Sequence, residues 1–219
     1  MSKSVVLLTK SKKYHNYCIA GIDKDTGEWV RLVSEDKSIH NAVPSSDLIY
    51  EDGTEAEVLD IVKVEIKSHD PNYYQPENYT YDSGYYWKKV GVSSVNLVLK
   101  MLDQVEDNYI FHNSAKKLPK AFVQQINEKR RYSLKLIIPE NARLNVKRWK
   151  PTEPLSYTIC FYYNDLEYSF WKITDESFTA LYKQEGWYDL DNVALVASLA
   201  DLYDEDNSHY KLIASIINC

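Results

Sequence analysis

The sequence predicts a mainly β protein of the α+β class: two small, mainly antiparallel barrels of five strands each, joined by a helical, basic middle. Three observations carry this. Short apolar stretches with turn chemistry between them dominate both ends of the chain. The hydrophobic period changes to a helical one only near the centre. The strands are joined by hairpin-length links, which favours antiparallel sheets and small barrels over a parallel α/β sheet.

In chain order, residues 4–9, 18–23, 28–34 and 58–67 read as strands, with turns at "KDTG" and "EDGT". In "VSSVNLVLKML" the apolar residues Val95, Val98, Leu99 and Leu102 fall at helical spacing behind a serine cap. A second helix is expected over 118–127, with Pro119 tolerated in its first turn. Strands return at 132–138, 144–150, 156–163 and 166–173, the last two joined by the tight turn of "YNDLEY". Asp175 reads as the N-cap of a short helix closed by Gly186. Residues 193–199 and 210–217 finish the chain as strands around the acidic turn "DLYDEDNSH". The expected organisation is an N-terminal domain over 1–112, a connector over 113–127 and a C-terminal domain over 128–219.

Composition narrows the function. The 219 residues are 44% hydrophobic and 26% charged, ordinary for a globular chain. No apolar run approaches the roughly 18 residues of a membrane span. The stretch Val5 to Leu8 is too short for the core of a signal peptide. Three cysteines without C-x-x-C spacing make a disulfide framework or zinc ribbon unexpected, and Cys18 is expected to be buried and inert. A cytoplasmic setting follows as the default. The net charge of −6 argues against indiscriminate affinity for nucleic acid, but its distribution is uneven. Residues 116–150 carry 11 Lys and Arg against two acids, so this segment is +9 and the remainder −15. Such segregation can sustain a local positive field, because screening acts over about 8 Å at physiological salt. Nineteen tyrosines outnumber the five Phe and five Trp together. Tyrosine suits half-exposed strands, and the same ring can stack on an unpaired base.

Five stretches in order, "CIAGIDKDTGEWVRLVS", "VLDIVKVEI", "YYQPENY", "FYYNDLEYSFWKITDESF" and "YKLIASIIN", resemble the dual OB-containing domain of bacterial proteins. The likeness spans nearly the whole chain. It departs from the family pattern at Leu32 and Glu176, where proline is common. It implies two OB folds in tandem, in the setting of mobile or defence-related gene clusters, and brings no established reaction. OB folds commonly bind oligonucleotides on strands 2 and 3 and the adjacent loops, and they also bind proteins and sugars.

On that frame Val30 and Leu32 are expected to face inward, leaving Trp29 and Arg31 on the opposite face beside the small Ala20 and Gly21. An indole and a guanidinium there would stack a base and hold a phosphate. In "NYYQPENY", Tyr73 and Tyr74 can stack, and the amides of Gln75 and Asn78 can meet base edges. Those amides can equally satisfy the loop's own backbone, as a latch between domains. "YYWKKV" contributes Trp87 and Lys88, and the basic segment contributes Arg130, Arg131, Arg148 and Trp149, as aromatic–basic interleaving. If 144–150 is a strand, Arg148 and Lys150 share a face with Val146.

Catalysis has little support. The five histidines are scattered, and no HExxH, phosphate-loop or nucleophile-elbow motif occurs. Thr174 and Asp175 read as a helix cap rather than an acid catalyst. No catalytic residue, cofactor or metal is expected. The expected function is a non-catalytic module for single-stranded DNA or RNA. A regulatory subunit docking a protein through its OB faces is the first alternative. A small-nucleotide sensor or enzyme with a site between the barrels is the second.

Overall fold

A computed structural model describes residues 1–101 and 107–219. The chain divides into two compact units, Met1–Gln104 and Val105–Cys219. Leu102, expected on the central helix, lies outside the described residues.

The first unit holds β1 (Ser2–Lys13), β2 (Asn16–Asp23), β3 (Trp29–Val33), β4 (Asp60–His69), β5 (Asn78–Tyr81) and β6 (Lys88–Val92), then helix α1 (Val95–Met101). Its strands run in the order β1-β2-β3-β5-β4, and β4 pairs back onto β1, closing a five-stranded barrel. β6 lies outside the ring on β4. β3 and β5 run parallel, and the other pairings are antiparallel. Val5, Leu7, Ile19, Val30, Leu32 and Val62 fill the interior, capped by Leu48, Tyr81 and Trp87.

Closure rests on β1, which pairs through Ser2–Val6 with β4 and through Val5–Lys13 with β2. A register shift between Leu7 and Thr9 bends it from one partner to the other. Gly21 sits opposite the bend, where an added Cβ would stand 2.0 Å from the Val6 carbonyl oxygen. The "KDTG" turn forms as its chemistry dictates. Asp23 accepts the amide of Asp25 at 3.0 Å, and Gly27 takes a φ of 74°.

The second unit holds β7 (Lys117–Pro119), α2 (Lys120–Gln125), β8 (Leu134–Ile137), β9 (Glu140–Lys147), β10 (Ser156–Tyr163), β11 (Leu166–Ile173), α3 (Glu176–Thr179), β12 (Gly186–Leu190), β13 (Val193–Tyr203) and β14 (Ser208–Asn218). They form one eight-stranded sheet, β12-β9-β10-β11-β14-β13-β8, with β7 added on β14. Five strands were expected here. The stretch 113–127, expected as a connector, is built into this unit through the pairing of β7 with β14. Pro119 caps α2 from outside rather than sitting in its first turn. Asn164 and Asp165, at φ of 51° and 59°, make the tight β10–β11 turn. Asp175 caps α3 by accepting the Phe178 amide at 3.0 Å. The same carboxylate accepts the Ile216 amide at 3.1 Å, so the cap also fixes β14.

Replacing Gly21 with alanine is expected to destabilise the first unit by about 3 kcal/mol or more, since backbone stands in the way rather than a side chain that can swing aside. Urea denaturation followed by tryptophan fluorescence measures this. A loss under about 1 kcal/mol would mean that β1 shifts freely at its bend.

Candidate nucleic-acid interface

In the first unit, four of the eight residues expected to meet a ligand, Arg31, Gln75, Asn78 and Trp87, are buried. Trp29 is half-buried, but Arg31 is only 4% exposed, and Val30 through Val33 are all buried. Arg31 therefore does not stand on a bare outer face. β3 lies between β2 and β5, and the loop ahead of β5 bonds to it through the Arg31 amide and the Glu77 carbonyl at 2.8 Å. Alternation along a strand predicts an outward side chain, and here the outward side is covered.

That loop is knitted to itself. Asn72 Oδ1 accepts the amides of Tyr74 at 3.0 Å and Gln75 at 2.8 Å. Gln75 and Asn78 are buried, and the Asn78 amide donates to Gln75 Oε1 at 3.4 Å. The bonds that they form lie within the loop, and burial keeps both amides from a base edge. Tyr73 and Tyr74 are half-buried with their rings tilted at 5.0 Å. Trp87 is 1% exposed and meets Tyr81 edge-on at 5.5 Å, so no base can stack on it. Lys88 is exposed on β6. Cys18 is half-buried rather than buried.

The basic segment of the second unit is similarly divided. Arg131 donates to the carbonyls of Ile126 and Gln124, both at 2.9 Å, and so finishes the end of α2. Residues 148–150 lie beyond β9 in a turn, not on the expected strand. The Arg148 guanidinium closes that turn on the Glu153 carbonyl at 2.6 Å. Arg130 and Trp149 are exposed, and the Lys147 ammonium lies 4.3 Å from the Trp149 ring centre.

A second group, which the sequence reading did not single out, gathers on β9 to β12. Phe170 is 47% exposed and Trp187 48%, and their rings meet nearly edge-on at 5.9 Å. The Arg143 guanidinium lies 5.2 Å from the Trp187 ring, and the Lys116 ammonium 5.3 Å from that of Phe170. Arg143 also pairs with Asp189 at 2.9 Å, but both side chains are more than half exposed, so water leaves that pair little strength. Phe170 reaches its position through a left-handed backbone, φ 57°, beside the register shift where its amide meets Cys160 Sγ at 3.3 Å. Trp187 stands on β12, which no apolar run announces.

A family model for the dual OB-containing domain matches residues 3–216. The chain belongs to this family. No curated protein and no solved structure matches it. OB-containing domains bind nucleic acid or protein in general, and membership assigns neither to this chain. Among the described residues, no helix of this dual OB protein is long and apolar enough to cross a membrane. Nor do three or more His, Cys, Asp or Glu among them gather to hold a metal ion.

The titratable groups that come together in the dual OB domain tie down one loop. Asp107 accepts from the Tyr132 hydroxyl at 2.8 Å and from the amides of Tyr109 at 2.9 Å and His112 at 3.0 Å. Burial pushes its carboxyl up, but these bonds and the His112 ring at 3.2 Å hold it below the usual range. Burial lowers His112 despite Asp107 beside it. Burial likewise lowers Lys135, whose ammonium donates to the Asp107 carbonyl at 3.2 Å. Lys211 is buried within β14 and donates to the carbonyls of Ile110 and Asn113, both at 2.6 Å, and to Asn113 Oδ1 at 2.9 Å. Three acceptors take all three of its protons. The cost of burying the charge still outweighs these bonds, and the ammonium is pushed down to about 7.

The folded lysine gives up its proton near pH 7, whereas the unfolded one keeps it to about 10.4. The cost of the buried charge is thus complete below pH 7 and is relieved as pH rises through that window, so Lys211 makes stability increase with pH there. Lys211→Met removes the buried charge together with its three bonds, so it is expected to gain most on the parent at pH 7 and below, the carbonyls left bare offsetting part of the gain, and to flatten the rise with pH. Urea melts from pH 6 to 10 test both parts. A variant with the same pH slope as the parent would show that Lys211 does not titrate in that range.

Proposed function

We propose that this protein is a non-catalytic module for single-stranded nucleic acid, DNA or RNA, and that the strand lies on the outer face of β9 to β12. The observation that carries the reading is the pair of half-exposed rings, Phe170 and Trp187, each with a cation at its face. Rings supply stacking that tolerates any base, and the cations supply the sequence-independent attraction to phosphate. Lys147 beside Trp149 extends the same chemistry past the end of β9.

Topology supports this placement. β8 and β9 are separated only by Ile138 and Pro139. We infer that they are the two halves of one broken strand, β8 pairing with β13 and β9 with β10. The path then runs strand one (β8 and β9), β10, β11, β14, β13 and back to β8, the order of the first barrel, with β11 and β14 as its parallel pair. The second unit is on this reading a second OB barrel, and β10 and β11 are the strands whose face commonly takes oligonucleotides.

Fluorescence anisotropy with labelled DNA and RNA of about 20 nucleotides tests the reading, log affinity falling with log salt by about 0.7 per phosphate contact. Trp187→Ala and Phe170→Ala are each expected to cost about 1–3 kcal/mol of binding, and Lys116→Ala to reduce the salt slope. An absence of micromolar binding at low salt would turn the reading to protein docking. Unchanged binding in both ring variants would move the site off this face.

A further inference from the structure

The first unit carries a groove of about 390 Å³ that the reading above does not use. The turn Ser45–Leu48 gives it Ser46 and Asp47, the end of β5 gives Tyr81, and the following loop gives Ser83, Gly84, Tyr85 and Tyr86. Tyr85 and Tyr86 are 63% and 62% exposed. Their loop is nonetheless shaped, because Asp82 accepts the Gly84 amide at 3.1 Å through its side chain and the Tyr85 amide at 3.3 Å through its carbonyl.

The chemistry of the groove centres on Asp47. Its Oδ2 accepts the Tyr81 hydroxyl at 2.6 Å, and its Oδ1 accepts the Ser46 hydroxyl at 2.9 Å. Burial and this carboxylate push the Tyr81 hydroxyl's pKa up, so it stays a donor. A carboxylate has about four lone-pair positions, two on each oxygen. With one bond on each oxygen, the group is oriented and keeps one acceptor position on each. Two parallel acceptors match the fork of a guanidinium, and a tyrosine ring beside them suits the flat face of the same group. Among the described residues no lysine or arginine lines the groove, so it offers a phosphate no cation and sets the Asp47 carboxylate against it. Lys67, which approaches the neighbouring Asp82 at 3.7 Å, is engaged by Glu35 at 2.6 Å.

We propose that this groove binds the guanidinium of an arginine side chain presented by a partner protein, with Asp47 as the forked acceptor and Tyr85 and Tyr86 as the walls. The proposal does not depend on nucleic-acid binding by the second unit.

The test uses the full chain with tyrosine labelled for NMR, titrated with N-acetyl-arginine methylamide and with its lysine and citrulline counterparts. The arginine compound is expected to shift the Tyr85 and Tyr86 signals saturably, with a dissociation constant of millimolar order. The lysine compound should bind several-fold more weakly, and uncharged citrulline should not bind. Asp47→Asn is expected to weaken the arginine compound about tenfold, the scale of one charged hydrogen bond. Should that variant disturb Tyr81, the exposed pair Tyr85→Ala/Tyr86→Ala, followed through the signal of Tyr81 in the same groove, provides the same loss without touching the interior. No shift up to about 50 mM would overturn the proposal, as would equal binding of lysine, or binding that survives in a folded variant of either kind. Guanosine presents a similar donor edge. If it shifts the two tyrosines and the arginine compound does not, the groove is a base site and the proposal fails.

Discussion

The contact between Gly21 and the backbone of Val6 is the constraint on which the first barrel depends. A strand can hydrogen-bond to two neighbours along its whole length only in a sheet that stays open or curls gently. A ring of five strands is tight, and β1 meets the requirement by giving its first half to β4 and its remainder to β2. The bend between Leu7 and Thr9 drives the Val6 carbonyl toward β2, and only a residue without a side chain lets it come so close. Ring closure then buries Val30 and Leu32 and sets β5 parallel beside β3.

The fate of Arg31 follows from the same closure. Read along the chain, "WVRLV" alternates, and alternation places Arg31 opposite the core. What alternation cannot show is whether the opposite face is bare. β5 is a four-residue strand behind Pro76, too short to announce itself, yet it brings the 70–77 loop onto the backbone of β3, where Arg31 is buried. Local chemistry was far more legible. The "KDTG" and "YNDLEY" turns and the Asp175 cap all depend on residues within a few positions of each other. They formed where their side chains required.

The rings on β9 to β12 show the opposite case, a group the sequence holds but does not display. Arg143, Phe170 and Trp187 are far apart in the chain and meet only because β12 pairs with β9 and a register shift turns Phe170 outward. No short window contains them. The signal nearest to hand lay in "FYYNDLEYSFWK", where Phe161, Tyr168 and Trp171 are buried while Tyr162 and Phe170 are exposed. Alternation counted from Trp171 puts Phe170 outside and counted from Tyr168 puts it inside, and the register shift between them decides for the outside. The long run of aromatics reads as packing until the two faces are separated.

Charge counted along a chain also overstates charge available at a surface. The +9 of residues 116–150 includes Arg131 and Arg148, whose guanidiniums finish a helix and a turn, and Lys135, which is buried over the 107–113 loop. These cations satisfy carbonyl oxygens that would otherwise be bare, so their contribution is to stability and their field is met close by. What remains outward includes Lys116, Lys129, Arg130, Arg143, Lys147 and Lys150, with Arg143 and Lys150 each beside an acid. A surface of that kind attracts phosphate only weakly beyond a Debye length of about 8 Å. On such a surface, any hold on a single strand has to come chiefly from rings that stack bases, with the cations serving to keep the backbone near them. That is the arrangement of Phe170 and Trp187, where each cation lies at a ring rather than in a continuous basic track.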